Sequence, residues 1–418
     1  MAQQGQVFKL KTRGPGGKPM WAYRYRVDGR RSARPQVGGF ASQGEATQAL
    51  QVALERLHRR TGRRAQITLS ELVAEYLARP PCNYHRQDAF RAMFAETERD
   101  LKKLVGIKRP DDYFAAQITA TGTGVNEACL YALERSGRGL LLNNGFFGAR
   151  VADQARQNGM DVVVLDAAQD RPLDPDAVAA ALDRDPAIKW VFFVSHETRA
   201  GLKNPLEQLG RTCKQRGRMV AVDVISSAFA YPIDLEAAQV DLATASSAKA
   251  IMAAPGLGII FTRKAAVPAL EAGGRSSSYY LDVIAEYERQ AADQQPRFAQ
   301  PVALHAALRA ACLHLTSQGI DAHMARIQRQ MRSLIEHLAS LGVQPILEER
   351  FRSNIAVNFR LPVGMSYSSF SKRMEQEGYF CLYGIPGDQT HFQLSTIGDL
   401  SDAHIGGVRQ ALSRVFDR

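Results

Sequence analysis

Two kinds of hydrophobic pattern follow one another along the chain. In the first part, the stretches 7–11 and 21–27 alternate apolar or aromatic residues with basic ones, which is typical of strands with one buried and one basic face. Ser42 then stands at a typical N-cap position, and a helix is predicted from there to about Arg60. Its apolar stripe consists of Ala46, Ala49, Leu50, Ala53, Leu54 and Leu57. The pattern predicts a small β-sheet-plus-helix module over residues 1–66.

From about residue 68 the chain alternates continuous apolar runs with helical segments. The runs cover residues 140–142, 162–165, 190–194, 219–222, 242–244 and 258–261. Runs without polar alternation are typical of parallel strands that are buried on both faces. They predict an α/β fold with a mostly parallel central sheet in a large domain over residues 67–305.

After residue 305 the pattern changes again. A long helical stretch leads into the predicted strands 355–359 and 391–394, which are separated by a helix over 369–378. A final helix begins near Asp402. These elements predict a smaller C-terminal α+β domain over residues 306–418.

Charge is concentrated in the first part of the chain. Residues 1–66 hold fourteen Lys and Arg against three Asp and Glu, whereas the other 352 residues hold 39 of each. The whole net charge of +11 therefore belongs to the first part. Basic residues interleaved with aromatic ones are typical of a nucleic-acid-binding unit. The predicted DNA-binding residues are Lys9, Lys11, Arg13, Arg24, Arg26, Arg30 and Arg31.

No apolar run approaches the roughly 18 residues that a membrane span needs. The first thirty residues are polar and basic, unlike a secretory signal. The five cysteines are spread without metal-ligand spacing, so no metal site is predicted. We expect a cytoplasmic protein without a membrane partner, located in the host cytoplasm if a phage encodes it.

Three polar segments lie at the ends of predicted elements. Lys249 occupies a loop of small residues before the strand 258–261, and Asp223 ends the strand 219–222. The turn at 121–123 opens a helix, where backbone N–H groups and hydroxyls can bind a phosphate. Pyridoxal 5′-phosphate (PLP) requires these groups, since an amine bonds to its aldehyde and a carboxylate keeps its ring nitrogen protonated. The sequence therefore predicts PLP, carried as a Schiff base on Lys249.

The order and spacing of these motifs resemble those of the class-V, fold-type I PLP-dependent aminotransferases. The resemblance covers about residues 68–418 and points to the 2-aminoethylphosphonate–pyruvate and alanine–glyoxylate enzymes. The segments that carry it are 84–90 (family CHRxxEF), 144–148 (NGxYG), 196–205 (ETxxGxxNP), Asp223 and Lys249. It implies a homodimer acting on an amine or amino-acid-like substrate.

The same resemblance implies roles for single residues. Lys249 would carry PLP and then transfer the proton, and Asp223 would pair with the ring nitrogen. The resemblance also implies that the phosphate of PLP is bound by Thr121, Gly122 and Thr123. Phe147 would stack on the ring face, and Thr198 would contact the phenolic oxygen.

The first part of the chain is similar to a different family. Residues 21–26 and 38–46 resemble the small DNA-binding module at the N-terminus of phage-type tyrosine recombinases, with its W-x-Y-R and GGFAT-x-x-EA motifs. This resemblance ends near residue 66, and no recombinase catalytic domain follows. It implies DNA as a partner of residues 1–66.

One departure from the aminotransferase pattern concerns the substrate. In that family an arginine in an F-R-I-G-N-I-G strand binds the substrate carboxylate, whereas residues 392–398 place Gln393 there. Glutamine cannot form the bidentate, charge-assisted contact of an arginine. We therefore predict that Gln393 contacts a substrate other than a small free acid.

These observations favour one function and leave two alternatives open. The favoured hypothesis is a PLP-dependent lyase that decarboxylates an amino-acid-modified thymine during phage DNA hypermodification, because a DNA-binding module precedes a pocket without a carboxylate clamp. The first alternative is a class-V aminotransferase acting on a free small amine or amino acid. The second is a PLP-sensing transcription regulator with an operator-binding module.

Overall fold

The computed structural model describes residues 5–13, 17–26, 35–60, 84–274, 276–380 and 387–416. The chain divides into two compact units, Met1–Pro81 and Cys82–Arg418. The predicted boundary between residues 66 and 67 lies outside the described residues, as do Arg30 and Arg31.

The first unit contains an antiparallel sheet and one helix. Strand β1 (Gly5–Arg13) pairs with β2 (Pro19–Tyr25), which pairs with β3 (Gln36–Phe40). Helix α1 (Gln43–Arg60) follows Ser42, whose Oγ accepts a hydrogen bond from the Glu45 N–H at 3.1 Å. Among the residues of this unit that the structure describes, Ala22, Tyr23, Ala46 and Leu50 form the buried core.

The pairing of β1 with β2 determines where the basic side chains point. Lys9 lies opposite Trp21, and Arg24 lies opposite Gln6. Because paired residues share a face and successive residues alternate, Lys9 and Arg24 lie on opposite faces of the sheet. The sheet therefore presents basic residues on both faces, and the expectation of one basic face is wrong.

A seven-stranded sheet forms the centre of the second unit, in the order β4-β12-β11-β10-β7-β5-β6. Only β12 runs antiparallel to its neighbours. The strands that the structure describes in this unit are β4 (Tyr113–Thr119), β5 (Gly139–Asn143), β6 (Val162–Asp166), β7 (Trp190–Val194), β8 (His196–Glu197), β9 (Leu202–Lys203), β10 (Met219–Asp223), β11 (Leu242–Ser246), β12 (Leu257–Arg263), β13 (Ala356–Arg360) and β14 (His391–Ser395). The prediction of an α/β fold with a mostly parallel sheet is confirmed.

Helices surround this sheet and extend towards the C-terminus. They are α2 (Asp88–Leu104), α3 (Gly122–Leu133), α4 (Phe146–Gln157), α5 (Pro175–Arg184), α6 (Leu206–Lys214), α7 (Val267–Glu271), α8 (Val283–Asp293), α9 (Val302–Gln318), α10 (Ile320–Ser340), α11 (Tyr367–Gln376) and α12 (Asp402–Phe416). Within the described part of the chain, none of the helices has both the length and the apolar character to cross a membrane.

Strand β7 shows why the sheet is buried on both faces. Val191 and Phe193 pack in the cluster on one face, and Trp190 and Phe192 pack in the cluster on the other. Burying one such side chain stabilises the fold by about 1.5–3 kcal/mol. A shift of the register by one residue would exchange the two sets, so this burial fixes the register.

The C-terminal part of the second unit has its own apolar cluster. Strands β13 and β14 pair antiparallel, and Phe359, Phe370 and Phe392 pack together beside α11 and α12. The predicted boundary between residues 305 and 306 falls inside α9. Helices α9 and α10 are separated at Gly319, whose φ of +82° suits a glycine.

Candidate active site

Loops from several strands meet at one edge of the central sheet. Because parallel strands end at the same edge, the residues that follow β4, β5, β7, β10 and β11 come together there. They enclose a cavity of about 220 Å³. The predicted site residues among its walls are Thr121, Gly122, Thr123, Phe147, Thr198, Asp223 and Lys249. The structure thus gathers seven predicted residues around one space.

Lys249 occupies a tight turn between β11 and β12. Its carbonyl accepts a hydrogen bond from the Met252 N–H at 2.8 Å, and Ala253 N donates to the Ser247 carbonyl at 3.0 Å. Met252 has a φ of +63°, a left-handed conformation that costs a non-glycine residue about 1–3 kcal/mol. The contacts around this turn offset that strain and hold Lys249 at the cavity wall.

A histidine on α10 supports the same turn. His323 Nε2 lies 3.1 Å from the Ala250 carbonyl, and its Nδ1 lies 3.2 Å from an Arg326 N–H group. Arginine only donates, so Nδ1 accepts and Nε2–H donates to Ala250. Arg326 also donates to the Gly398 carbonyl at 3.0 Å. These bonds connect the residue after Lys249 to the C-terminal part of the unit.

Asp223 ends β10 and is almost completely buried, with 4% of its surface exposed. One carboxylate oxygen accepts a hydrogen bond from Asn126 Nδ2 at 2.7 Å, and the other accepts one from the Ile225 N–H at 2.8 Å. Burial raises the pKa of Asp223 from 3.8 to about 6. Asn126 is itself fixed, since its Oδ1 accepts a bond from Thr244 Oγ1 at 2.6 Å. This arrangement orients a buried carboxylate at the cavity.

The N-terminus of α3 opens onto the cavity. Thr121 is the N-cap residue, and its side chain makes no capping hydrogen bond. The first backbone N–H groups of a helix have no partner within the helix, and the helix dipole favours an anion there. Residues 121–123 therefore form a suitable binding site for a phosphate group.

Phe147 is held at the cavity wall through its backbone. The buried Glu197 carboxylate accepts hydrogen bonds from Phe147 N at 3.0 Å and from Gly148 N at 2.6 Å. A Cβ at Gly145 would lie 2.5 Å from this carboxylate, so a side chain there would displace it. Burial raises the pKa of Glu197 to about 7.

A cation and two polar groups complete the walls. Arg150 lines the cavity, and its Nη1 donates to Thr123 Oγ1 at 3.3 Å. Ser226 Oγ lies 2.7 Å from Thr198 Oγ1 and 2.9 Å from His196 Nδ1, within hydrogen-bond distance of both. The buried His196 Nε2 has no partner among the described residues.

Gln393 takes a different place from the other predicted residues. Its Nε2 donates to the carbonyls of Thr198 and Arg199, at 2.7 and 3.2 Å, and lies 3.0 Å from Asn358 Oδ1. It is not among the residues that line the cavity in the described part of the chain. The structure shows Gln393 fixing the loop after β8, and a substrate contact by Gln393 stays a prediction.

Comparison with known proteins identifies the family. The family described as Aminotransferase class-V matches residues 67–373. A 2-aminoethylphosphonate–pyruvate transaminase of Burkholderia pseudomallei (strain K96243) is 34% identical over 333 residues, which are 79% of this chain and 89% of that protein. The chain belongs to the class-V aminotransferase family. It is an enzyme of the aminotransferase type, with PLP as its cofactor.

Solved structures show the same fold. An alanine–glyoxylate aminotransferase from Nostoc sp. superposes with a TM-score of 0.75 at 23% identity, covering 82% of this chain and 91% of that chain. An aspartate aminotransferase of subgroup IV from Thermus thermophilus gives 0.72 at 25% identity, covering 82% and 95%. Both structures share the fold of the second unit, and this similarity agrees with the predicted fold-type I architecture.

The comparisons also correct the favoured hypothesis on function. The relatives are named as transaminases, so they support the aminotransferase alternative better than decarboxylation of modified DNA. They give no support to the recombinase-like resemblance, because the family match begins at residue 67. The decarboxylation hypothesis rests on the glutamine at position 393 in place of the family's arginine. That replacement concerns the recognition of the substrate and not the type of reaction.

The residues around the cavity fit PLP. A buried carboxylate at Asp223 without a salt bridge in the described residues suits a protonated ring nitrogen. The turn at 121–123, whose N-cap side chain makes no capping hydrogen bond, suits the phosphate. The sequence analysis assigns no role to three further site residues, Asn126, Arg150 and Glu197, although Glu197 belongs to the family segment 196–205.

Proposed function

We propose that this protein is a PLP-dependent aminotransferase that uses Lys249 as its cofactor-binding lysine. The observation that carries this proposal is the meeting of Lys249 and Asp223 at one cavity, where β10 and β11 end side by side. Family membership supports the reaction type. The resemblance to the family also favours a homodimer.

Each residue around the cavity has its own role toward the cofactor or the substrate. Bound PLP supplies an aldehyde for amines and a ring that accepts electrons from the substrate carbon. Lys249 would hold PLP through that aldehyde and would move a proton at the substrate carbon. Asp223 would keep the ring nitrogen protonated. The backbone and hydroxyls of 121–123 would bind the phosphate, and Phe147 would contact the ring.

The amino donor is a small primary amine without an α-carboxylate. Gln393 supports this choice, because its amide is occupied by the loop carbonyls of Thr198 and Arg199. A neutral, occupied amide is a poor partner for a carboxylate beside the reacting carbon, which disfavours an α-amino acid as donor and also weakens the binding of pyruvate, so the donors are compared at one saturating pyruvate concentration. The named substrate of the Burkholderia relatives, 2-aminoethylphosphonate, is an amine of this class.

An assay of amino transfer tests this function. We expect 2-aminoethylphosphonate with pyruvate to yield alanine, and glutamate or aspartate with pyruvate to react at least about tenfold more slowly, since a missing charge-assisted contact is worth about 1.5–3 kcal/mol. Products are measured by mass spectrometry, with the Lys249→Ala variant as the control. Release of CO₂ from amino acids without alanine formation would contradict aminotransfer and restore the decarboxylase hypothesis.

We further propose that the first unit binds duplex DNA. Lys9, Lys11 and Arg13 are exposed along β1, and Arg24 lies over Phe8 with its Cζ 5.0 Å from the ring centroid. Lysine and arginine side chains on such a surface contact phosphates and release counterions. Because the basic residues occupy both faces of the sheet, contacts to the DNA backbone fit this unit better than insertion of one face into a groove.

The salt dependence of DNA binding tests this second role. Replacing Lys9, Lys11 and Arg13 by glutamine in the full-length chain is expected to flatten the plot of log K against log salt by about 0.9 per lost phosphate contact. A matched control replaces three exposed basic residues of the second unit, Arg184, Lys264 and Lys372. Equal slopes for the two triple variants, measured by fluorescence anisotropy, would reject the assignment.

A further inference from the structure

Three polar side chains form a chain of hydrogen bonds along the cavity wall. Thr198 Oγ1 and Ser226 Oγ are 2.7 Å apart, and Ser226 Oγ is 2.9 Å from His196 Nδ1. All three residues line the cavity. Ser226 and His196 are buried, with 6% and 1% of their surfaces exposed, whereas Thr198 is half-buried. Thr198 is therefore the end of the chain that is most open to the cavity.

The number of hydrogens limits what this chain can do. Burial lowers the pKa of His196 to about 3, so its ring is neutral at physiological pH and carries one N–H. Ser226 and Thr198 carry one hydroxyl hydrogen each. If His196 Nδ1–H donates to Ser226, the Ser226 hydrogen is available for Thr198, and the Thr198 hydrogen is then available for an acceptor in the cavity.

The opposite arrangement has a different outcome. Ser226 Oγ also lies 3.2 Å from the His196 carbonyl, to which it can donate, and Thr198 then donates to Ser226. In that case Thr198 offers only lone pairs to the cavity. The phenolic oxygen of PLP is an acceptor, so a bound cofactor selects the first arrangement.

We propose that Ser226 and His196 are positioning residues that make Thr198 a hydrogen-bond donor to the phenolic oxygen of PLP. This inference rests on the proposed function, because it requires PLP in this cavity. At the buried end, His196 Nδ1–H donates to Ser226 Oγ. The Ser226 hydroxyl then donates to Thr198 Oγ1, which leaves the Thr198 hydrogen free to donate to PLP. Cooperative strengthening along such a chain makes the terminal donor stronger than an isolated threonine hydroxyl.

A double-mutant cycle tests this proposal on the full-length, cofactor-depleted protein. The apparent dissociation constant of PLP is measured by absorbance titration for wild type, Ser226→Ala, Thr198→Val and the double variant. Each single change is expected to weaken PLP binding roughly three- to tenfold, the effect of one lost hydrogen bond. Because Ser226 acts through Thr198, the double variant is expected to match Thr198→Val alone.

A neighbouring serine provides the matched control. Ser227 is also buried but does not line the cavity among the described residues, so Ser227→Ala is expected to leave PLP affinity and the absorbance maximum unchanged. Additive effects in the cycle, or equal behaviour of Ser226→Ala and Ser227→Ala, would overturn the proposal. If the Ser226 hydroxyl only supported the local structure, the effects of Ser226→Ala and Thr198→Val on PLP affinity would add up in the double variant.

The tautomer of His196 gives an independent reading. Nitrogen-15 NMR of the loaded protein, with the His196 signals assigned by their loss in His196→Gln, is expected to show Nδ1 protonated and Nε2 bare. A proton on Nε2 instead of Nδ1 would overturn the proposed chain of hydrogen bonds from His196 to Thr198. Borohydride reduction reports separately whether PLP is attached to Lys249, so failure of this chain of hydrogen bonds and failure of the proposed function are distinguishable.

Discussion

Replacing Lys249 by alanine is expected to abolish amino transfer. The variant loses the amine that bonds to the cofactor aldehyde and the base that moves the substrate proton. Loss of the proton transfer alone costs about 10²–10⁴-fold in rate, and loss of covalent attachment adds to it. The measurement is alanine formation from 2-aminoethylphosphonate and pyruvate, followed to the background rate of PLP in buffer.

Cofactor binding separates this effect from unfolding. The residues 121–123 and Asp223 remain in Lys249→Ala, so the variant is expected to bind PLP reversibly and to release it on dialysis. After borohydride reduction, wild type is expected to carry the cofactor mass on the peptide with Lys249, and Lys249→Ala to carry none. The exposed Lys264 is the control, and Lys264→Ala should behave as wild type. Cofactor mass on another lysine of the wild-type protein would refute the assignment.

The sequence predicts the centre of the fold well because burial dictates its pattern. The apolar runs 190–194 and 219–222 match β7 and β10 within one residue, since both faces of these strands are covered. The pattern does not predict β4 (Tyr113–Thr119), where two alanines and Gln117 interrupt the large apolar residues. Gln117 is fully buried, so burial there does not follow from side-chain type.

The site follows from the sequence only where a motif carries its chemistry locally. Lys249, Asp223 and the turn at 121–123 are recognisable because each stands at a strand or helix end. Asn126 and Glu197 act on partners 97 and about 50 residues away, and no local pattern encodes such pairs. Their positions result from the strand order, which brings distant loops to one edge.

The first unit shows a different limit. Alternation along one strand indicates which residues share a face of that strand, but the alignment of two strands decides whether their basic residues meet. In β1 and β2 the register between Lys9 and Arg13 is irregular, and Lys9 faces away from Arg24. Composition therefore predicts a basic unit, whereas the distribution of its charge depends on the pairing.

Replacing Asp223 by asparagine is expected to reduce amino transfer by about 10²–10³-fold, the range for removing one preorganised charge-stabilising group. Asparagine has nearly the same size and keeps one acceptor for Asn126, while its NH2 group replaces the oxygen that accepts from the Ile225 N–H, so the loss combines the missing negative charge at the ring nitrogen with one lost hydrogen bond. The measurement is kcat for the transfer reaction at saturating PLP. Asp223→Glu keeps the charge and is expected to retain more activity than Asp223→Asn.

The same substitution is expected to stabilise the cofactor-free protein above pH 6. Burial raises the pKa of Asp223 from 3.8 to about 6, so between these pH values the folded protein binds more protons than the unfolded chain. The contribution of Asp223 to the stability of the wild-type apoprotein therefore falls as the pH rises from about 4 to 6, by on the order of 3 kcal/mol. Glu197, with its pKa raised to about 7, contributes a fall of the same sign in both proteins.

The difference between wild type and Asp223→Asn isolates the contribution of Asp223. Thermal unfolding of both apoproteins from pH 4 to 8 is expected to show a Tm gap in favour of Asp223→Asn that widens up to about pH 6 and then stays constant. Loading with PLP should close the gap, because the protonated ring nitrogen neutralises the buried carboxylate in wild type alone. A gap independent of pH, or one that PLP leaves open, would mean that Asp223 does not face the cofactor ring.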